Sequence, residues 1–155
     1  MKKLIVPFLF LTCIGFQSCK KENKQEVKVS KEEEKIVSVQ CYKAIYEADT
    51  IDLKLNTLKN GKISGDMKMR VAGSPEKVGK VKGEFHGDTL FVDYSFFEGK
   101  NKTFKNPMAF LKKETQLILG NAKMQTTMGV TYIVKDEPID FERVKYKFTT
   151  VECAK

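Results

Sequence analysis

The sequence predicts an all-β protein, an antiparallel meander of about eight or nine short strands that closes into a small barrel. Three observations predict it. Apolar residues recur at every second position in run after run, the runs are set near ten residues apart by glycine, asparagine and aspartate turns, and no stretch holds a helical period beyond a single turn. The first run is SVQCYKAIY, from Ser38 to Tyr46. In the second, Ile51, Leu53 and Leu55 alternate with Asp52, Lys54 and Asn56. Beyond the pair Asn60-Gly61, Ile63, Met67, Met69 and Val71 alternate with Ser64, Asp66, Lys68 and Arg70. Two alternating runs flanking Asn-Gly are the strongest short-range hairpin signal, because both residues tolerate φ > 0. Val81 and Phe85 continue the pattern against Lys82, Glu84 and His86, a turn falls at His86-Gly87-Asp88, and TLFVDYSFF puts Leu90, Val92, Tyr94 and Phe96 on one face. Further strands fit at TFKNPMAFLKK, TQLILGNAKM, TMGVTYIVK and VKYKFTTVEC, with one turn of helix at DEPIDFERV. Consecutive hairpins curl until the first and last strands meet, which removes the exposed edges. A β-sandwich is the alternative.

Two segments of different character precede this domain. MKK and the run Leu4–Phe16, thirteen residues interrupted only by Thr12, read as the n- and h-regions of a secretory signal. The run falls short of the roughly 20 residues that span a bilayer as a helix. The stretch Phe16-Gln17-Ser18-Cys19 resembles the lipobox of bacterial lipoproteins, with Ser18 as the small residue at the cut. That resemblance implies a signal peptide over residues 1–18, a lipidated Cys19, and anchoring in the outer membrane on its periplasmic side or at the cell surface. Cys13 is the rival, but Thr12 is a poor residue at the cut. Each buried methylene contributes about 0.8 kcal/mol, so several acyl chains hold a protein essentially permanently. From Lys20 to Lys35 only Val27 and Val29 are apolar. A segment this charged buries too little surface to offset its ordering entropy, so residues 19–36 are expected to be a tether and 37–155 the barrel domain.

Cleavage after Ser18 removes Lys2 and Lys3 from the 28 basic residues and none of the 20 acidic ones, leaving 26 against 20 and a net charge of +6. It also leaves Cys41 and Cys153 as the only cysteines of the folded part. In an exported, oxidising compartment such a pair is expected to form a disulfide, the alternative being two reduced and buried thiols. By the chain-entropy model a bridge closing over a hundred residues contributes about 4 to 5 kcal/mol.

The segments CYKAIYEADTIDLKLNTLKNGKISGDMKM and KGEFHGDTLFVDYSFFEGK resemble a group of largely uncharacterised Bacteroidota lipoproteins. That group has a Cys-Tyr start, a G-x-[IV]-x-G run and a later GDTL block ending in Phe and Glu-Gly. The likeness covers roughly residues 40 to 120. It implies a lipocalin-like barrel and brings no mechanism with it.

No constellation points to catalysis. Acyl transfer needs a nucleophile beside a base, and the only histidine, His86, sits at a hairpin end. Asp49, Asp66, Asp88 and Asp93 fall at turns or on outward positions, so no carboxylate pair is marked out for glycosidic chemistry. Met67 and Met69 share a face and soft thioethers select Cu(I), but the same two side chains continue the apolar face begun by Ile63. No cofactor or metal is implied. The basic residues lie opposite most of the aromatics, whereas a nucleic-acid reader interleaves the two, so no nucleic-acid partner is expected. Anionic lipid headgroups or acidic glycans suit such a surface better. Two kinds of role remain: a barrel that binds a small apolar ligand or an envelope protein, and a structural or stress-related envelope protein without a ligand. Phe91 and Phe97 break the alternation and are the candidate ligand-binding residues at a barrel mouth.

Overall fold

A computed structural model describes residues 35–98 and 102–154, so the predicted signal peptide, Cys19 and the tether up to residue 34 lie outside the described residues. Ten strands follow one another: β1 (Ile36–Tyr46), β2 (Asp49–Leu58), β3 (Ile63–Arg70), β4 (Lys77–His86), β5 (Thr89–Glu98), β6 (Lys102–Lys113), β7 (Gln116–Leu119), β8 (Met124–Thr127), β9 (Val130–Ile133) and β10 (Lys147–Val151). Eight of them close an antiparallel barrel in the order β1-β10-β7-β6-β5-β4-β3-β2. The expected all-β barrel is therefore observed, and β1 begins at Ile36, the last residue assigned to the tether.

The alternation read from the sequence sets which side chains fill the barrel. Ile51, Leu53 and Leu55 of β2, Ile63 and Met67 of β3, Val81 of β4 and Leu90, Val92, Tyr94 and Phe96 of β5 all turn inward and are buried. Lysines and carboxylates take the intervening positions and pair across strands outside, as Lys43 does with Asp52 at 3.3 Å and Lys105 with Asp93 at 2.7 Å. Such exposed pairs contribute roughly 0 to 1 kcal/mol each and serve mainly to keep the wall polar. The hairpin at Asn60-Gly61 forms as expected, with Gly61 at φ 78° and the Asn60 side-chain oxygen accepting from the Lys62 amide at 3.0 Å.

The interior is occupied by side chains. Tyr94 stacks on Phe96 with centroids 4.9 Å apart, Phe96 on Phe104 at 5.7 Å, and Phe110 meets Phe148 edge-on at 5.5 Å. Room for these rings comes from the facing strand. Gly79 stands inward on β4 between Met67 and Phe96, and a Cβ there would lie 2.1 Å from the Ser95 carbonyl oxygen and 2.8 Å from the Tyr94 ring. The Tyr94 hydroxyl reaches across to donate to the Lys77 carbonyl at 2.9 Å, so the buried phenol is satisfied.

The C-terminal third departs from the meander expected of it. The runs TQLILGNAKM and TMGVTYIVK were expected to be successive barrel strands, but only Gln116–Leu119 joins the barrel. β8 and β9 form a separate two-stranded hairpin within residues 120–146, and β10 returns to pair with β7 and β1. The physical reason is the shortness of β7. It pairs only with Phe110–Lys113 of β6, and the outward-facing Pro107, Ala109 and Ile118 beside it are buried and need a cover. β9 packs against β6, while Ile139 and Phe141 press on Gly120. The expected turn of helix at DEPIDFERV is instead a turn held by Asp140, whose carboxylate accepts from the amides of Glu142 and Arg143 at 2.9 and 3.1 Å.

Candidate functional site

A groove of about 990 Å³ runs along the outer wall of the barrel. Its floor is built from outward positions of neighbouring strands in register: Glu84 of β4 lies opposite Phe91 of β5, and Lys82 opposite Asp93, which in turn faces Pro107 of β6. One bank is β9, residues Val130–Ile133; the other is Ile36, Leu58 and Lys62, where β1 begins and β2 turns into β3. A bulge between Ile36 and Ser38 shifts the β1–β2 register there, so Ile36 shares the outward side of Leu58.

The chemistry of the groove is amphipathic. Phe91 is half-buried and meets the His86 ring edge-on at 5.6 Å, while the His86 Nε2 lies 3.1 Å from a Glu84 carboxylate oxygen. Pro107 is buried, and Val130 and Tyr132 present exposed apolar surface. Of the cations, Lys105 is paired with Asp93. Lys62 and Lys82 form no ion pair among the described residues. An apolar floor edged by three lysines, Lys62, Lys82 and Lys105, against the two carboxylates of Glu84 and Asp93 carries one excess positive charge and suits a molecule with an apolar body and an anionic head.

The two aromatic residues expected at a barrel mouth are not brought together. Phe91 lies in the groove near the end where β4 turns into β5, whereas Phe97 is 68% exposed beside Thr103. Six residues of strand separate them, about 20 Å. Both point away from the barrel interior, so they line no mouth. Sequence reasoning missed Ile36, Leu58, Lys62, Val130 and Tyr132, which reach the groove from a turn and from the hairpin that leaves the barrel.

The opposite end of the barrel carries a polar latch. Asp49 accepts from the Tyr146 hydroxyl at 2.6 Å and from the Ala72 amide at 2.8 Å, tying the β1–β2 turn, the β3–β4 turn and the start of β10 together. These hydrogen bonds, that of Tyr146 foremost, hold the Asp49 carboxyl below its ordinary range. Burial, reinforced by the Asp49 carboxylate, pushes the Tyr146 phenol up to about 12. A charged carboxylate and a neutral phenol thus lock one another's protonation states. Among the described residues no group of three or more His, Cys, Asp and Glu side chains could hold a metal ion, and no helix is long and apolar enough to cross a membrane.

The disulfide expected from the sequence joins Cys41 to Cys153. Comparison with protein-family models, with curated proteins and with solved structures finds no match to this chain.

Proposed function

We propose that this protein is a non-catalytic binding module, anchored in the outer membrane through lipid on Cys19, that takes a small apolar or amphipathic ligand in the groove on its outer wall. The groove carries the reading. Its volume of about 990 Å³ is that of a small-molecule site, while the barrel interior is occupied by the protein's own rings. Lys62 and Lys82 favour an anionic headgroup, and Phe91, Pro107 and Val130 an acyl or aromatic body. The lipobox-like Phe16-Gln17-Ser18-Cys19 stretch and the likeness to Bacteroidota lipoproteins support the anchor and the address.

Native mass spectrometry of the chain starting at Lys20, purified gently after export, tests the ligand. The reading expects an added mass on the wild type that Phe91→Glu abolishes. An adduct retained by that variant would move the site elsewhere, and no adduct in either would favour an envelope role without a ligand. For the anchor, the reading expects Cys19→Ala to release the protein from the membrane fraction.

A further inference from the structure

The β8–β9 hairpin ends in a turn with an energetically odd residue at its tip. Thr127 and Val130 pair across a two-residue turn in which Met128 has φ 51° and Gly129 φ 80°. Both central residues are left-handed, the geometry that selects Asn-Gly or Asp-Gly, and a side chain such as methionine is strained there by about 1 kcal/mol or more. Met128 is also 99% exposed, so no packing inside the protein offsets that strain. The eight residues Gln125 to Tyr132 carry no charge, and Val130 and Tyr132 lie exposed just behind the tip.

The position of this tip decides what it fits. Val130 shares the groove with Ile36, the first residue of β1, so the hairpin tip lies on the side of the barrel where the preceding 35 residues join it. Ile36, Val37 and Val39 are exposed apolar residues on that side too, and the unpaired Lys62 and Lys82 stand close by. From Cys19 to Lys35 the chain reaches at most about 55 Å, so in an anchored protein this side lies within reach of its membrane.

We propose that the hairpin tip is a membrane-surface contact: Met128, backed by Val130 and Tyr132, inserts into the interface of an anionic lipid bilayer while Lys62 and Lys82 meet the headgroups. The orientation rests on the anchored reading above; the contact itself needs neither the acyl chains nor a ligand. Methionine supplies a flexible apolar wedge, tyrosine is at home at headgroup depth, and each lysine near an anionic surface contributes about 1 kcal/mol. A groove held at the bilayer would draw its ligand from the lipid phase.

The sequence contains no tryptophan, so single replacements place a sole indole in the molecule. The chain from Lys20 contains every barrel strand and both bridged cysteines, and it is the form to use because it lacks the lipid. Mixed phosphatidylcholine and phosphatidylglycerol vesicles should blue-shift the emission of Met128→Trp, and brominated acyl chains should quench it. Phe97→Trp, at the far end of the barrel, should show neither effect. Cosedimentation with the same vesicles should weaken about tenfold in Met128→Asn, which loses the apolar contact, while its melting temperature rises because asparagine tolerates the turn. Equal emission behaviour of the two indoles, or vesicle binding unchanged in Met128→Asn, overturns the contact. Because no acyl group is present, neither result bears on whether Cys19 is lipidated or the groove occupied.

Discussion

The Cα atoms of Cys41 and Cys153 lie 5.2 Å apart although 112 residues separate them, and the disulfide between them joins the first barrel strand to the chain just beyond the last. β10 is five residues long and pairs with β1 only at Cys41, Tyr42 and Lys43. The bridge thus reinforces one of the two three-pair seams that flank β10. Replacing both cysteines by serine should cost about 2 to 5 kcal/mol in urea unfolding, the long loop placing it at the upper end. A change below about 1 kcal/mol would mean that the ladder alone holds the seam.

Glycines in this fold separate into two kinds with different sensitivities. At Gly79 an added methyl meets the Ser95 carbonyl oxygen at 2.1 Å, a clash with backbone that only a shift of β5 relieves. At Gly129 it meets nothing within 4 Å, and only the positive φ opposes it. Gly79→Ala should therefore cost several times more than the roughly 1 kcal/mol of Gly129→Ala. Comparable losses in thermal melts would contradict the inward packing of β4 against Tyr94.

The two displaced tyrosines give stability a defined alkaline limit. Burial pushes Tyr94 up to about 12, and Tyr146 reaches about 12 for the same reason with Asp49 beside it. Because the folded values exceed the unfolded one near 10, this contribution is complete below about pH 10 and is lost as pH rises through about 12. Tyr94→Phe should flatten that decline, at a cost near neutrality of about 1 kcal/mol for the lost hydrogen bond. An alkaline limb identical to that of the wild type would contradict the burial of the phenol.

Asp49 works in the opposite direction. Its carboxyl is held low by Tyr146 and Ala72, so its contribution is present above the ordinary carboxylate range and is lost as pH falls through its depressed value. Asp49→Asn should lower stability at pH 7 and remove part of the acid-side slope. An unchanged acid limb would show that the latch does not constrain the carboxyl.

Most of the barrel was legible because alternation in Ile51–Leu55, Ile63–Met69 and Leu90–Phe96 reports directly which face is buried. The departure of β8 and β9 was not, since TMGVTYIV alternates as well as any barrel strand does. A different signal was available. In β6, Pro107, Met108, Ala109 and Phe110 are all apolar and consecutive, and in β7 Leu117 and Ile118 are adjacent. A strand apolar on both parities is covered on both faces, so something had to lie outside β6 and β7. The groove was only partly legible. Phe91 and Phe97 were singled out for breaking the alternation, but outward parity alone does not say which outward position a distant hairpin will reach. Lys62 and Ile36 owe their places to a turn and a bulge, and neither leaves a periodic trace.

Amide chemical-shift mapping decides between a ligand held on the outer wall and one held inside the barrel. The uniformly labelled chain from Lys20 is titrated with palmitate, kept below its critical concentration. Binding on the outer wall should give saturable shifts clustered at Lys62, Lys82, Phe91 and Val130–Ile133, with Tyr94, Phe110 and Phe148 unmoved. Shifts centred on those three interior residues would contradict it and place the ligand within the barrel.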